Sequence, residues 1–228
     1  MVRSAFRTLV QAYVATDGQQ YITTDADYDA LINEGLKIYA ERTLCFFNDS
    51  VVLTLVNGTA TYDLRDITTP VVTTYQVVWP VSVIINNAPL KDFYGRPGPI
   101  TQKEFQGLTD GYSAAAGASP TRWTLEAPTT IRLYVKPNAT TVSSGNNFVA
   151  GFTLPVDITA GAGSDSTEIP LPIEHERVAA AFVASLAIDP RASGSSLEKM
   201  QRLDGAAAAQ MERFEQNAQI LMGGMVRP

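Results

Sequence analysis

The fold of this chain is decided by residues 24–64, which read TDADYDALINEGLKIYAERTLCFFNDSVVLTLVNGTATYDL. In the first half of this stretch, apolar residues recur at three- and four-residue steps, the spacing that places side chains on one face of an α-helix. That face consists of Tyr28, Leu31, Ile32, Leu36, Tyr39, Ala40 and Leu44. Thr24 can cap the helix, and Asp27 adds a carboxylate to the first turn, where the helix dipole favours negative charge. The pattern predicts a helix from Asp25 to Phe47.

The second half of the same stretch changes to the two-residue period of a β-strand. Val51, Leu53 and Leu55 recur at every second position, and Asn57-Gly58 supplies a turn whose residues tolerate positive φ. A second strand follows over Thr59–Leu64. The pattern predicts a β-hairpin directly after the helix, so this stretch ties a helical layer to a sheet.

Short β-branched segments continue from the hairpin to residue 171. Pro80 cannot donate to a sheet ladder and separates two strand segments, residues 75–78 and 81–85. Pro80 indicates an edge or a bulge, and Asn86-Asn87 indicates a turn. Thr101 with Glu104 indicates a capping box, and Pro128-Thr129 indicates the turn of a second hairpin. With a further strand over residues 148–153, we expect about six to eight short strands, typical of an antiparallel sandwich or barrel-like sheet.

Helical periodicity is confined to the two ends of the chain. A first helix is expected over residues 2–15, and helices return over 174–188 and from Ser195 to Gly223-Gly224. We therefore predict an α+β fold: a helical bundle made from the N- and C-terminal helices, with an inserted antiparallel β-sandwich or barrel-like domain. In this prediction the helical layer comprises residues 1–48 and 172–228, and the inserted β-domain comprises residues 49–171.

Composition and charge argue against several classes of function. The chain has 228 residues, 45% of them apolar and 18% charged, with a net charge of −6. Proteins that grip nucleic-acid phosphates need clustered Lys and Arg, whereas an acidic surface suits a passage through which DNA slides without sticking. The single cysteine, Cys45, excludes an internal disulfide and a cysteine-based zinc site. No apolar run approaches membrane-spanning length, and Arg7 interrupts any signal-peptide core, so we expect cytoplasmic synthesis and no membrane partner.

Residues of the types that carry catalysis lack their usual companions. His175 is the only histidine and has no second histidine one turn further on. The acid pairs, Asp25 with Asp27 and Asp63 with Asp66, lie at a helix start and a strand end, where acids are favoured for local reasons. The glycine clusters lack the lysine and the strand–helix context of a phosphate cradle. We therefore predict no enzymatic activity, no catalytic residue, no metal site and no cofactor.

Four aromatic residues keep an alternative function open. Trp79, Tyr94, Tyr112 and Trp123 would form a sugar-stacking platform if their rings were exposed together on one face. Aromatic residues that alternate in strands more often belong to the core. The alternative function is therefore a carbohydrate- or receptor-binding β-module with helical flanks.

The last helix carries an apolar seam and is followed by an apolar tail with a basic tip. The seam repeats by alternate threes and fours and is interrupted by Asp204. Such a seam packs on the chain's own helices or docks into another subunit or another protein. The residues predicted for docking are Met211, Phe214, Leu221, Met222, Met225, Val226, Arg227 and Pro228.

Several segments, taken in order, resemble the head-to-tail adaptor (connector) proteins of short-tailed bacteriophages. That family shows a helix with an Ile-Asn-Glu-Ala-like core, then a hairpin ending in Tyr-x-Leu. The matching segments are DALINEGL at 29–36, VNGTATYDL at 56–64, VSVII at 81–85, IRLYVKP at 131–137 and IPLPIEHERV at 169–178. This chain departs from the pattern at Gly35, where alanine is usual, and at Arg65-Asp66, where a proline often follows the hairpin. Residues 92–120 have no counterpart.

The resemblance implies a non-enzymatic structural protein of the virion neck. It implies a ring, of about twelve copies, beneath the portal of the capsid. The helical layer and the C-terminal end would face the portal protein, and the β-domain would meet a tail nozzle or fibre protein. Genomic DNA would pass through the ring without specific binding. In the alternative reading, the β-domain would be a carbohydrate- or receptor-binding module of the virion tail.

Overall fold

The computed structural model describes residues 1–16, 22, 24–66, 76–108, 119–143, 146–155, 166, 168–187 and 196–225. It confirms the predicted α+β class, since helices at both ends of the chain flank antiparallel sheets. The chain divides into two compact units. We call them the helical unit, residues 1–46 and 155–220, and the β-unit, residues 47–154 and 221–228. The predicted domain limits and the portal-facing role of the helical layer stay predictions.

The described part of the chain contains seven helices and seven strands. The helices are α1 (Arg3–Thr16), α2 (Asp25–Thr43), α3 (Gln102–Gln106), α4 (Ala139–Ser143), α5 (Ile173–Ala187), α6 (Ser196–Leu203) and α7 (Gly205–Met225). The strands are β1 (Phe47–Val52), β2 (Thr61–Asp63), β3 (Val77–Ile85), β4 (Ala88–Pro89), β5 (Arg122–Ala127), β6 (Thr130–Tyr134) and β7 (Phe148–Thr153).

Helix α5 is the centre of the helical unit, because α1, α2 and α6 all pack against it. Every residue from Val178 to Ser185 is buried, as expected for a helix covered on all sides. The closest approach is to α2, where a Cβ built on Gly35 would lie 2.8 Å from Val183 Cγ2. Glycine at position 35 therefore allows the backbone of α2 to lie against the β-branched side chain of α5.

A buried ion cluster joins α1 to α2. Arg3 and Arg7 both bind Asp29, and the three residues are 1%, 8% and 7% exposed. The Nε atoms of both arginines donate to Asp29 Oδ1 at 3.0 Å, and Arg3 Nη2 bonds to Oδ2. Arg7 Nη1 also donates to Asp25 Oδ2 at 2.9 Å, so two cations meet two carboxylates. Because the charges are mutually satisfied, this cluster is tolerated in a buried position, where an unpaired charge would be costly.

The β-unit consists of two antiparallel sheets that share one core. The four-stranded sheet has the order β1-β7-β3-β4, and the three-stranded sheet has the order β2-β6-β5. Side chains from both sheets form a single buried cluster, and its members are Val51, Leu53, Leu55, Tyr62, Leu64, Val77, Val83, Ile85, Leu90, Trp123, Ile131, Leu133 and Val149. Two sheets over one core are the arrangement of a sandwich, as the strand spacing predicted.

The predicted hairpin over residues 51–64 is wrong. Strand β1 pairs with β7 and strand β2 pairs with β6, so the two segments lie in different sheets. The turn between them is nevertheless present, because Gly58 has a φ of +76° and Thr59 N donates to Val56 O at 3.0 Å. Residues 53–60 therefore cross from one sheet to the other.

The helix that precedes this crossing ends earlier than its predicted end at Phe47. Helix α2 ends at Thr43, because Leu44 adopts the left-handed conformation, with φ 51° and ψ 43°, and its N–H donates to Ala40 O. The predicted cap is confirmed, since Asp27 N donates to Thr24 Oγ1 at 3.2 Å. The predicted apolar face is also confirmed, because all of it except the half-buried Leu31 is buried.

Other local predictions in the β-unit have mixed outcomes. The two strand segments around Pro80 form one strand, β3, with a bulge between Pro80 and Ser82. The opposing Gly151 is required there, since a Cβ would lie 2.5 Å from Trp79 O. The turn at Asn86-Asn87, the capping box of α3 and the β5–β6 hairpin are confirmed.

The long C-terminal helix is two helices. Helix α6 ends at Leu203 and α7 begins at Gly205, with Asp204 between them. The prediction that Gly223-Gly224 ends the last helix is also wrong, because α7 continues to Met225. Glycine lowers the stability of a helix without necessarily ending it, and here the helix that forms before the two glycines continues past them.

Candidate docking surface at the end of the last helix

Asp204 fixes the start of α7 to two other helices. Its Oδ2 accepts from Tyr13 Oη of α1 at 2.8 Å and from Arg177 Nε of α5 at 2.7 Å. Its Oδ1 accepts from Ala207 N at 3.1 Å, which caps α7. Burial alone would raise the pKa of Asp204, but the hydrogen bonds from Ala207, Tyr13 and Arg177 outweigh it and hold the pKa below its usual value. Asp204 is therefore an ionised anchor for the α6–α7 junction.

Further along α7, Phe214 is held by the only histidine of the chain. The rings of Phe214 and His175 stack with centroids 3.9 Å apart, and His175 Nδ1 lies 2.8 Å from Tyr39 Oη. Burial lowers the pKa of His175, opposed by the charge of Glu174. One residue on, Glu215 Oε1 lies 2.6 Å from Arg42 Nε of α2. His175 is therefore a neutral packing residue that connects α2, α5 and α7.

The residues predicted for docking fall into three groups. Met211 is 1% exposed, and Phe214 is half-buried against His175. Leu221 is 43% exposed and Met222 is half-buried. The side chain of Met225 and residues 226–228 lie outside the described part of the chain. The first half of the seam thus packs within the helical unit, and the exposed apolar side chains start one or two turns later.

Sequence reasoning missed Ile220, which is 70% exposed. Ile220 lies off the three-and-four seam, so a search along the seam passes it by. An apolar residue beside the seam at the end of a helix is the signal that could have found it. We call Ile220, Leu221 and Met222 the α7 end. Together they form a continuous apolar segment at the end of a helix whose start is anchored by Asp204.

The structure assigns local roles to the groups considered for catalysis. Burial raises the pKa of the Cys45 thiol to about 11, so this cysteine is a poor nucleophile. Asp63 accepts from Arg65 N at 3.0 Å, and Asp25 pairs with Arg7. Among the described residues, no group of three or more His, Cys, Asp or Glu side chains is placed to hold a metal ion. No helix in the described ranges is both long and apolar enough to cross a membrane.

The aromatic platform required by the alternative function is not formed. Trp79 is 5% exposed and Trp123 is fully buried, whereas Tyr94 is 78% exposed. Tyr112 lies outside the described residues. The carbohydrate- or receptor-binding prediction needed these rings on one exposed face, and the burial of both tryptophans removes the platform that it required.

Among the described residues, the side chains considered for catalysis have local packing or capping roles, and the apolar end of α7 is exposed. A sequence profile of the SU10 adaptor protein family matches residues 3–227. The chain belongs to this family, which confirms the resemblance to phage head-to-tail adaptors. It is thus a structural phage adaptor and a component of the virion neck, and its family is not known as enzymatic. A search of curated proteins finds no match.

Proposed function

We propose that this chain forms a closed ring, of about twelve copies, that joins the portal protein to a tail nozzle or fibre protein. The ring extends the channel through which genomic DNA leaves the capsid. The protein is made in the host cytoplasm and acts without catalysis or a cofactor. The observation that carries the proposal is the family match, which spans both the helical unit and the β-unit.

The α7 end is the surface proposed to dock on the portal. Ile220 and Leu221 expose large apolar side chains, 70% and 43% respectively, on a helix whose first turn is anchored by Asp204. Helix-in-groove recognition uses apolar side chains of this kind, and a preorganised helix loses little entropy on binding. Met225, Val226, Arg227 and Pro228 follow in the sequence and belong to the proposed contact.

The distribution of charge along the chain supports the proposal that DNA slides along the wall of the ring without binding to it. The segments of the helical unit, residues 1–46 and 155–220, carry nine Lys and Arg against sixteen Asp and Glu. Residues 47–154 of the β-unit carry seven of each. A surface that repels phosphates keeps DNA from binding to the wall, since affinity for DNA comes mainly from Lys and Arg at phosphates.

The docking proposal is tested by Ile220→Asp, with Asn217→Asp as the matched control on the same helix. Both positions are exposed, so neither change alters the core. We expect the control to sediment with purified portal as the wild type does. Ile220→Asp should weaken that binding by about tenfold or more, the loss that follows from a charge in an apolar contact. Unchanged co-sedimentation of Ile220→Asp would contradict the assignment of the α7 end to the portal.

Met211→Asp is unsuited to the same test. Met211 is 1% exposed within the helical unit, so a carboxylate there would be buried without a partner and would destabilise the fold. Loss of docking in that variant would report unfolding. Ile220→Asp avoids this because its side chain is already in solvent.

A further inference from the structure

The segment between β4 and α3 forms a turn that is fixed by its own hydrogen bonds. Asp92 Oδ1 accepts from Tyr94 N at 2.8 Å and from Arg96 N at 2.9 Å, and Asp92 Oδ2 accepts from Arg96 Nε at 2.9 Å. Asp92 N donates to Arg96 O at 2.8 Å, and Gly95 takes the positive φ, +79°, that the reversal needs. We call residues 91–97 the aromatic loop. Its conformation is set before any partner arrives.

The aromatic loop presents two aromatic rings and two guanidinium groups. Tyr94 is 78% exposed and Phe93 is 47% exposed. Arg96 Cζ lies 5.1 Å from the centroid of the Tyr94 ring, and Arg122 Cζ of β5 lies 4.6 Å from that of Phe93. Tyrosine, phenylalanine and arginine are the residue types enriched at the centres of protein interfaces. A rigid loop of this composition loses little conformational entropy on binding.

The aromatic loop is locally cationic. Lys91, Arg96 and Arg122 bring three positive charges, and the one carboxylate of the loop, Asp92, is used to hold the turn. Within the described ranges, Arg122 has no carboxylate partner, and its buried Nε has no hydrogen-bond acceptor. An acidic surface brought against the loop would supply opposite charge to Lys91, Arg96 and the guanidinium group of Arg122.

The same chain carries the acidic counterpart. The helical unit holds the whole excess of negative charge, with sixteen acidic against nine basic residues, and the β-unit contributes none between residues 47 and 154. A ring needs a heterologous interface, in which two different and complementary patches of one chain meet on neighbouring copies. The acidic helical unit and the locally cationic aromatic loop are two such complementary patches.

We infer that the aromatic loop, with Arg122 beside it, docks on the acidic helical unit of a second copy of this chain. This inference rests on the ring of the proposed function and adds the surface that joins its neighbours. Tyr94 and Phe93 provide the apolar centre of the contact. Lys91, Arg96 and Arg122 pair with carboxylates of the neighbouring copy, which fixes the direction of the ring.

Crosslinking between isotope-labelled copies tests the inference without the portal. Equal amounts of ¹⁴N- and ¹⁵N-labelled chain are mixed at high concentration and treated with a carbodiimide, which joins lysine amines to carboxylates in direct contact. Lys91 is the only lysine of the loop and one of five in the chain, so its peptide is easily recognised. We expect mixed-isotope peptides that join Lys91 to residues 1–46 or 155–220. The inference would be overturned if no mixed-isotope crosslink contained Lys91, or if every Lys91 crosslink joined two peptides of the same isotope.

Two variants and a matched control complete the test. Tyr94→Ala and Lys91→Glu alter exposed side chains, and Arg65→Glu makes the same charge change beyond the other end of the three-stranded sheet. We expect each loop variant to weaken self-association by about tenfold or more in sedimentation equilibrium, and the control to leave it unchanged. Equal association of variants and control would overturn the inference. The inference would also be overturned if the loop variants lost binding to DNA and kept their self-association, because the loop would then recognise nucleic acid.

Because the portal is absent from this experiment, its failure and the failure of portal docking are distinguishable. Chains that self-associate through the loop but ignore the portal would retain the inference and contradict the docking proposal. If the chain bound the portal and the loop variants self-associated normally, the docking proposal would be retained and the inference would be contradicted.

Discussion

Gly35 shows how one residue sets the distance between two helices. Helix α2 lies so close to α5 at this position that a Cβ would be 2.8 Å from Val183 Cγ2. Val183 is β-branched and buried among its neighbours, so it cannot rotate away without cost. The close approach of α2 to α5 therefore requires glycine at position 35.

Gly35→Ala is expected to destabilise the helical unit by about 1–3 kcal/mol, the usual cost of overpacking a core. The measurement is urea unfolding followed by circular dichroism. Gly205→Ala is the control, because a Cβ there has no neighbour within 4 Å, and we expect it to be neutral or slightly stabilising. The double variant Gly35→Ala, Val183→Ala should recover part of the loss. A Gly35→Ala chain as stable as the wild type would show that the helices separate freely.

His175 makes the stability of the helical unit depend on pH. Burial lowers its folded pKa below 6.5, so the unfolded chain binds the proton more readily and stability falls as the pH drops from 6.5 towards the folded pKa. NMR titration of the single imidazole should give a pKa below 6.5. His175→Gln should flatten the pH dependence of unfolding in that window. A measured pKa at or above 6.5 would contradict the buried, neutral histidine.

At this scale, sequence predicts what is local and misses what is distant. The caps at Thr24 and Thr101 follow from residues three positions away, and both are confirmed. The partners of His175 are Tyr39 and Phe214, which lie far from it in sequence. A pattern read along the chain could place His175 in the first turn of a helix and could not find its neighbours.

Among the elements, the strands show the same limit. The turn at Asn57-Gly58 exists, but the strands on either side of it pair with β7 and β6, which lie far along the chain. Turn chemistry sets a reversal of direction and does not select the strand that pairs with it. The β5–β6 hairpin was predictable because its two strands are adjacent in sequence and pair with each other.

The junction of α6 and α7 is the element that positions the α7 end. Asp204 interrupted the predicted seam, and in the structure this residue breaks the helix and ties α7 to Tyr13 and Arg177. An apolar seam predicts continuous helix, whereas a carboxylate with three donors stabilises a break. The direction of α7, and hence of its exposed end, depends on this residue.

Asp204→Ala is expected to destabilise the helical unit by about 1–2 kcal/mol, because a helix cap and its charged partners are lost. The folded pKa of Asp204 lies below its usual value, so its contribution is present at neutral pH and is lost as the pH falls through that folded pKa. Asp204→Asn should keep the cap and lose the pH dependence. Glu212→Ala, an exposed change on α7, serves as the control in thermal unfolding. Equal melting of Asp204→Ala and the control would refute the anchor.

At the scale of the whole molecule, order along the chain was more informative than any single motif. The segments resembling the adaptor family are each weak, yet their sequence from helix to hairpin to C-terminal helices identified the family, and the match over residues 3–227 confirms it. The docking residues were harder to predict. Periodicity selects residues that face a partner helix, and it cannot say whether that helix belongs to the same chain. Met211 and Leu221 both lie on the seam, yet Met211 is buried and Leu221 is exposed.

Electron microscopy of the chain mixed with purified portal is the most direct test of the adaptor account. We expect closed rings on the portal, with the α7 end against the portal. Ile220→Asp should leave the portal bare, and Asn217→Asp should give rings like those of the wild type. If the wild-type chain stayed monomeric and the portal bare at every salt concentration, the account would be contradicted.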